Sequence, residues 1–432
     1  MNKKVAFYTL GCKVNQYESN AMKQLFLENN YEIVDFEKYA DVYVVNTCTV
    51  TNMSDRKSRQ IIRRAKQINE NAILVATGCY VQVSENEVEK INDIDIILGN
   101  NEKKNIINKI KEYEIEKEKN NEISSVMYQK EFVEFGNTTY TDKTRAVIKI
   151  QDGCDRFCSY CIIPYARGRV RSRKMENIIQ EIEIIAKNGI KEVVITGIQI
   201  AAYGKDFSEN ISLIDLLEKI NKVDNIERIR LGSLEPNLIT KEFVNRLKML
   251  DKICNHFHLS LQSGCDETLT RMNRRYNTDE FKKCVKLLRD NFDDVILTAD
   301  IIVGFPGETE NEFLCTYNFL QEIKFYKMHI FKYSPRKGTK AAIMENQIDA
   351  KVKEERSQKL INLSNNNQME YNKKYIGREL NVLFEEKEGE WLKGHTSNFI
   401  MVKVKSKNEL ENMIVKVKIE NNENEYLLGK VI

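Results

Sequence analysis

Three cysteines stand close together in the run Gln151-Asp152-Gly153-Cys154-Asp155-Arg156-Phe157-Cys158-Ser159-Tyr160-Cys161. Thiolates so spaced can hold three irons of a four-iron cluster and leave the fourth iron without a protein ligand. An open iron is a place for chemistry, as the open position is in catalytic zinc sites. The bland alternative is a zinc knuckle completed by a fourth cysteine elsewhere. Cys154 follows the end of an expected barrel strand, where barrel enzymes build their sites, and that favours the cluster. Tyr160 lies inside the triplet and could pack its ring beside a ligand on the open iron.

Cys12, Cys48 and Cys79 form a second candidate set. Each falls at the C-terminal end of an expected strand, and in an open parallel sheet those ends share one edge, the usual ligand edge. Three thiols distant in sequence can converge there. The alternative is three unrelated buried thiols, since free cysteine is often core; equivalent placement at strand ends favours convergence. Cys254, Cys284 and Cys315 read as structural, and Cys265, near Gln262, stays open. His256 and His258 alternate with Phe257 and Leu259, a spacing that suits a metal but more often marks hydrogen-bonded strand histidines.

The elements that must position these residues follow from hydrophobic pattern. Residues 1–110 alternate short apolar runs (Val5–Tyr8, Val42–Asn46, Ile73–Ala76, Ile94–Leu98) with helical segments, which predicts an N-terminal open parallel α/β domain. Residues 111–139 are charged and weakly periodic, and read as a linker. From 140 to 369 the alternation restarts, with strands at Ala146–Ile150, Val193–Thr196, Arg228–Leu231, Phe257–Gln262, Val295–Val303 and Met328–Tyr333. Six βα units predict a parallel barrel, partial or full. Residues 370–432 carry short β-rich runs at Asn381–Phe384, Phe399–Val404, Ile414–Ile419 and Leu427–Val431, which predict a small β-barrel.

The chain has 432 residues, 42% of them hydrophobic and 30% charged, with net charge +3. This suits a multidomain protein with real cores, and any basic surface must be local. No apolar run is long enough to span a bilayer, so no membrane partner is expected. Ten cysteines with no export signal fit a reducing, cytoplasmic setting, where clustered thiols mean metal or catalysis rather than disulfides.

The central triplet, with an aromatic before its last cysteine, resembles the signature of the radical S-adenosylmethionine superfamily. Gly11-Cys12-Lys13-Val14-Asn15-Gln16, Asn46-Thr47-Cys48-Thr49, Thr77-Gly78-Cys79-Tyr80 and Ile162-Ile163-Pro164-Tyr165-Ala166-Arg167-Gly168-Arg169 narrow the resemblance to methylthiotransferases. It covers essentially the whole chain. It implies a partial (β/α)6 radical barrel and a C-terminal TRAM-like barrel that binds RNA. It also implies two 4Fe-4S clusters, one on Cys154, Cys158 and Cys161 and one on Cys12, Cys48 and Cys79. S-adenosylmethionine would serve as radical source and methyl donor, and a flavodoxin- or ferredoxin-type protein as low-potential electron donor.

Further contacts to S-adenosylmethionine are expected at strand ends: Gly197 and Gln199, Ser233 and Glu235, Gln262, and Gly304. A tRNA anticodon stem-loop is the implied substrate. Arg56, Arg59, Arg63 and Lys66 share one side of a helix. Arg167, Arg169, Arg171 and Arg173 alternate. Both groups follow cysteine motifs and are candidates for RNA phosphate, which the planar guanidinium suits; Lys403 is a candidate on the terminal barrel. Among methylthiotransferases, Gly11–Gln16, Asp55–Gln60 and His258–Gly264 look most like the branch acting on N6-threonylcarbamoyladenosine. The isopentenyladenosine branch, and a non-catalytic iron–sulfur RNA-binding redox sensor, remain as alternatives.

Overall fold

The apolar runs near the N-terminus become strands buried along their whole length, which is why they read as continuous rather than alternating. The computed structural model describes residues 2–432 apart from 137 and 141–143. Strands β1 (Lys4–Thr9), β2 (Glu32–Val34), β3 (Val42–Thr47), β4 (Ile73–Gly78), β5 (Ile96–Leu98) and β6 (Asn120–Glu122) form one parallel sheet in the order β2-β1-β3-β4-β5-β6. Helices α1 (Lys13–Glu28) and α2 (Asn52–Ile68) follow β1 and β3. Apolar clusters fill both faces of the sheet. The four inner strands are the four expected ones. The two edge strands are only three residues each, too short to carry a periodic signal.

β6 also corrects the reading of 111–139 as a charged linker. Ile106–Glu116 is helical, and β6 then pairs with β5, so the charged segment closes the sheet rather than leaving it. Its exposed charges disguise a chain whose hydrogen bonds go to the sheet edge.

The second unit holds β7 (Arg145–Lys149), the hairpin pair β8 (Gln151–Asp152) and β9 (Arg171–Ser172), then β10 (Glu192–Thr196), β11 (Arg228–Leu231), β12 (His256–Gln262), β13 (Ile296–Val303) and β14 (Lys327–Lys332). Two parallel sheets, β7-β10-β11 and β12-β13-β14, are joined by the bridge Leu234–Leu259. They make the expected partial barrel of six parallel strands around one large core. Helix Met175–Lys187 buries Ile178, Ile182 and Ile185 on one face and stops before Gly189, whose φ of +90° favours glycine there. α1 packs against β7, at the barrel's open edge.

The C-terminal unit is a closed barrel of β15 (Glu379–Glu388), β16 (Trp391–Thr396), β17 (Met401–Lys405), β18 (Ile414–Glu423) and β19 (Tyr426–Val431), in the order β15-β16-β17-β19-β18. Four of the five strands are those expected. β16 is hidden in sequence because Gly394 interrupts it; a Cβ there would strike the Leu383 carbonyl of the neighbouring strand. The long helix Ala350–Lys373 runs across the expected boundary at 369. Arg228 and Arg230 dock the units, donating to the carbonyls of His395 and Ser397, each at 2.9 Å. No helix among the described residues is long and apolar enough to cross a membrane.

Candidate active site

Strand register brings the N-terminal thiols together. Thr47 of β3 lies beside Gly78 of β4, so Cys48 and Cys79, one residue further on, leave adjacent strands side by side. Thr9 of β1 lies beside Asn46, and Leu10 N–H donates to the Asn46 carbonyl at 2.9 Å, which carries the Gly11-Cys12 turn to the same edge. Gly11 has φ +97°, and a Cβ on it would stand 2.8 Å from Cys48 Sγ. Asn15 ties the two loops by donating to the carbonyls of Leu10 at 2.8 Å and Thr47 at 2.9 Å. Burial raises the Cys12 thiol against the pull of Arg167, and takes the Cys48 thiol to about 11. Cys79 adds like-charge repulsion at both.

The barrel triad is built from one loop after β8. Gly153, at φ +70°, turns the chain so closely over Arg169 that a Cβ would collide with the Arg169 carbonyl. Cys154 follows directly. Its thiol donates to Gln199 Oε1 at 3.2 Å, and Gln199 Nε2 donates to Glu235 Oε2 at 2.8 Å. Arg274 Nη1 donates to Cys158 Sγ at 3.1 Å. Burial pushes the thiols of Cys154 to about 11 and Cys161 to about 12, with Cys158 repelling both. Gly153→Ala is therefore expected to move Cys154 away from its partners. The positive φ alone costs about 1–3 kcal/mol, and anaerobic melts together with iron content per chain measure both effects.

Both triads have the chemistry of a cluster site. All six thiols are free, each triad is mutually close in charge, and each has a guanidinium beside it. Among the described residues no group of three or more metal-ligating side chains could hold a metal ion. A four-iron cube instead takes one thiolate at each of several irons, set further apart than ligands round one ion. Coordination would displace the thiol protons that burial retains.

Between the triads lies a buried ionic network. Arg167 donates to Glu18 Oε1 at 2.7 Å, to Asp152 at 3.2 Å and to Asn15 Oδ1 at 2.6 Å. Lys149 bonds Glu18 at 2.7 Å and Asp152 at 2.6 Å; Lys103 pairs with Glu18, and Arg171 approaches Asp152. Four cations thus face two carboxylates, an excess that suits a cluster carrying thiolate charge beside Cys12 and Cys79. Burial would raise the Glu18 carboxyl, but Arg167, Lys103 and Lys149 outweigh it and hold it well below the usual range.

This corrects the RNA assignment of three arginines. Arg167, Arg171 and Arg173 are fully buried and committed: Arg171 to Asn101 and the Arg167 carbonyl, Arg173 to Glu134 and Glu181. A phosphate cannot reach them. Arg169 points outward, with its side chain 54% exposed. Gly168, at φ +77°, breaks the alternation that made the four look equivalent. Arg56 and Arg63 of α2 are exposed, while Arg59 donates to Tyr80 at 3.0 Å and Lys66 pairs with Asp95. A groove runs from Arg56 and Arg64 to Cys48. Lys403 lies over the Tyr426 ring at 4.6 Å.

Two cavities face the triads. One, lined by Tyr160, Cys161 and Gln262, also contains Asp300 and Phe331. The other, of about 650 Å³, opens on Cys12 and Lys13 and is lined by Gly197, Ser233, Arg230 and also Asp300 and Phe331. Asp300 and Phe331 are shared by both, so the two cavities adjoin. Gly304, at φ +69°, instead meets Lys353. Glu235 is held by Arg156 at 2.6 Å. His256 and His258 both bond Thr298, at 3.1 and 2.9 Å, as ordinary strand histidines do, and His258 also reaches Asp300 at 3.1 Å. Cys315 is exposed rather than core. Cys12 and Lys13 are exposed where they open into this cavity. Desolvation by the surrounding protein, then Arg230 and Arg145, lowers Lys13 to about 8. Arg274, Glu18, Lys103 and Lys149 were not singled out by sequence, since none sits in a spacing that betrays its partner.

A family model described as the Radical SAM superfamily matches residues 148–320, and one described as Uncharacterized protein family UPF0004 matches residues 4–99. The threonylcarbamoyladenosine tRNA methylthiotransferase MtaB of Bacillus subtilis is 44% identical over 96% of this chain and 93% of its own length. The Aquifex aeolicus protein of the same name is 40% identical over 95% of this chain and 99% of its own length. The tRNA-2-methylthio-N(6)-dimethylallyladenosine synthase of Fusobacterium nucleatum is 36% identical over the full length of both. In fold, the chain is similar to the radical S-adenosylmethionine methyltransferase TsrM from Kitasatospora setae, solved with cobalamin and a 4Fe-4S cluster bound, at TM-score 0.60 and 15% identity over 79% of this chain and 77% of that one. Near-full-length identity of this order leaves one conclusion: the chain belongs to the radical S-adenosylmethionine methylthiotransferase family and is an enzyme of that kind.

Proposed function

We propose that the enzyme converts N6-threonylcarbamoyladenosine beside the anticodon of tRNA into its 2-methylthio derivative, using two 4Fe-4S clusters. Cys154, Cys158 and Cys161 would hold the cluster that binds S-adenosylmethionine, and Cys12, Cys48 and Cys79 the cluster that carries the sulfur. The observation that supports this reading is the shared wall of Asp300 and Phe331, which sets the cavity at Cys161 beside the cavity at Cys12. When bound, the clusters and S-adenosylmethionine supply the one-electron chemistry that opens an unreactive C–H bond and the sulfur that replaces its hydrogen.

The chain's own residues do the placing. Arg274 orients the Cys158 thiolate, and Gln199 and Glu235 line the approach to Cys154. Phe331, 45% exposed between the two cavities, offers a face for a base to stack on. Arg56, Arg63 and Arg169 stand on the outside for backbone phosphate. A flavodoxin- or ferredoxin-type protein would deliver the electron. The threonylcarbamoyl assignment is supported by the names of the relatives at 44% and 40% identity, above the 36% of the dimethylallyl enzyme.

The test is reconstituted enzyme, reductant and S-adenosylmethionine with tRNA bearing either nucleoside. We expect methylthiolation of the threonylcarbamoyl nucleoside and little of the isopentenyl one. The reverse preference would assign the enzyme to the other branch, and no 5′-deoxyadenosine from either would revive the redox sensor.

A further inference from the structure

The cavity beside Cys12 is unusually rich in nitrogen bases. All of the chain's 4 histidines line it: His256, His258, His329 and His395. Its carboxylates are few, and Asp300 is already held by His258 at 3.1 Å. Arg230 is spent on Glu192, at 2.7 Å, and on carbonyls of the terminal barrel. Two ammonium groups on the wall, Lys13 and Lys327, have no hydrogen bond or ion pair with any described residue. Lys13 is exposed to the cavity and Lys327 is half-buried on its wall, so both ammonium groups are open to a ligand that brings the opposite charge.

Lys13 is also the residue next to Cys12. On an adenine ring, C2 and the N6 substituent lie along the same edge. With C2 turned toward Cys12, the N6 group lies on the edge that faces the same cavity wall, where Lys13 stands next to Cys12. The threonylcarbamoyl group ends in a carboxylate; an isopentenyl group ends in methyls.

We propose that Lys13 reads the carboxylate of the substrate's threonyl side chain, and so selects this substrate against those with apolar N6 groups. The inference rests on the functional reading given above. A charge-assisted bond to a carboxylate in such a site carries a roughly tenfold to hundredfold effect on affinity.

The experiment measures the dissociation constant of the cluster-loaded enzyme for three anticodon stem-loops. They carry N6-threonylcarbamoyladenosine, its carboxyl methyl ester, or unmodified adenosine at the same position. Wild-type enzyme should bind the acid tighter than the ester by roughly tenfold or more. Lys13→Gln should erase that difference without changing affinity for unmodified adenosine, and Lys13→Arg should keep it. Equal binding of acid and ester by wild-type enzyme overturns the inference without needing any variant. So does a preference that survives Lys13→Gln, one lost on Lys327→Gln instead, or an equal loss on all three stem-loops. Failure of wild-type enzyme to prefer the acid over unmodified adenosine would instead count against the functional reading itself.

Discussion

Cys158→Ala abolishes release of 5′-deoxyadenosine from S-adenosylmethionine under anaerobic reduction, and leaves roughly half of the bound iron in place. The expectation follows from the separation of the triads. Cys158 sits in the loop after β8, where Arg274 donates to its sulfur at 3.1 Å. Its loss leaves only two thiols for that cluster and an arginine facing an alanine. The N-terminal triad hangs from the ends of β1, β3 and β4 and shares no backbone with that loop. Cys48→Ala is the mirror case: iron again falls by about half, but 5′-deoxyadenosine is still released while no methylthio product forms. Loss of all iron in either variant would contradict two independent sites. Iron analysis, visible spectra and chromatography of the nucleoside product measure the three quantities.

Arg167→Ala should be the most destabilising substitution outside the cysteines, by about 3–5 kcal/mol. Removing it strips Glu18 and Asp152 of their central partner inside protein, and it severs a bond between the N-terminal domain and the barrel. Arg167→Lys should recover only part, because a single ammonium lacks the planar fork whose two nitrogens bond both Glu18 oxygens while also reaching Asp152 and Asn15. The pH dependence has a definite sign. Glu18 and Asp152 are held below their ordinary values by the surrounding cations despite burial. Their contribution is therefore full above the ordinary glutamate value of 4.5 and is lost as pH falls through the depressed folded values. The stability gap between wild type and Arg167→Ala should be constant near neutrality and narrow below about pH 4. Anaerobic denaturant melts across that range check both the size and the trend. A gap that widens on acidification would mean that the network is not what Arg167 supports.

The placement of the cysteines was legible because chemistry and topology speak through the same residues. An apolar run followed by Gly-Cys or Thr-Cys marks both a buried strand and a thiol at its ligand edge, and parallel register does the rest. The arginine run was misleading for the complementary reason. Spacing shows which residues alternate, but not that Gly168 turns the chain, nor that Glu18, 149 positions away from Arg167, waits inside. Arg274 was invisible on the same grounds: it reaches Cys158 across a tertiary gap that no local pattern records. The segment 111–139 hid β6 because an edge strand of Asn120, Asn121 and Glu122 needs no apolar face, only a neighbour with free backbone groups.

The most direct test of the whole account is mass spectrometry of tRNA nucleosides from a host with this gene, without it, and with it restored, in a strain holding no second enzyme of this type. The account predicts that 2-methylthio-N6-threonylcarbamoyladenosine disappears on deletion, that its unmethylthiolated precursor rises by the same amount, and that both return with the wild-type gene but not with Cys158→Ala. Persistence of the methylthio nucleoside in the deletion strain, or loss of the isopentenyl counterpart instead, would contradict it.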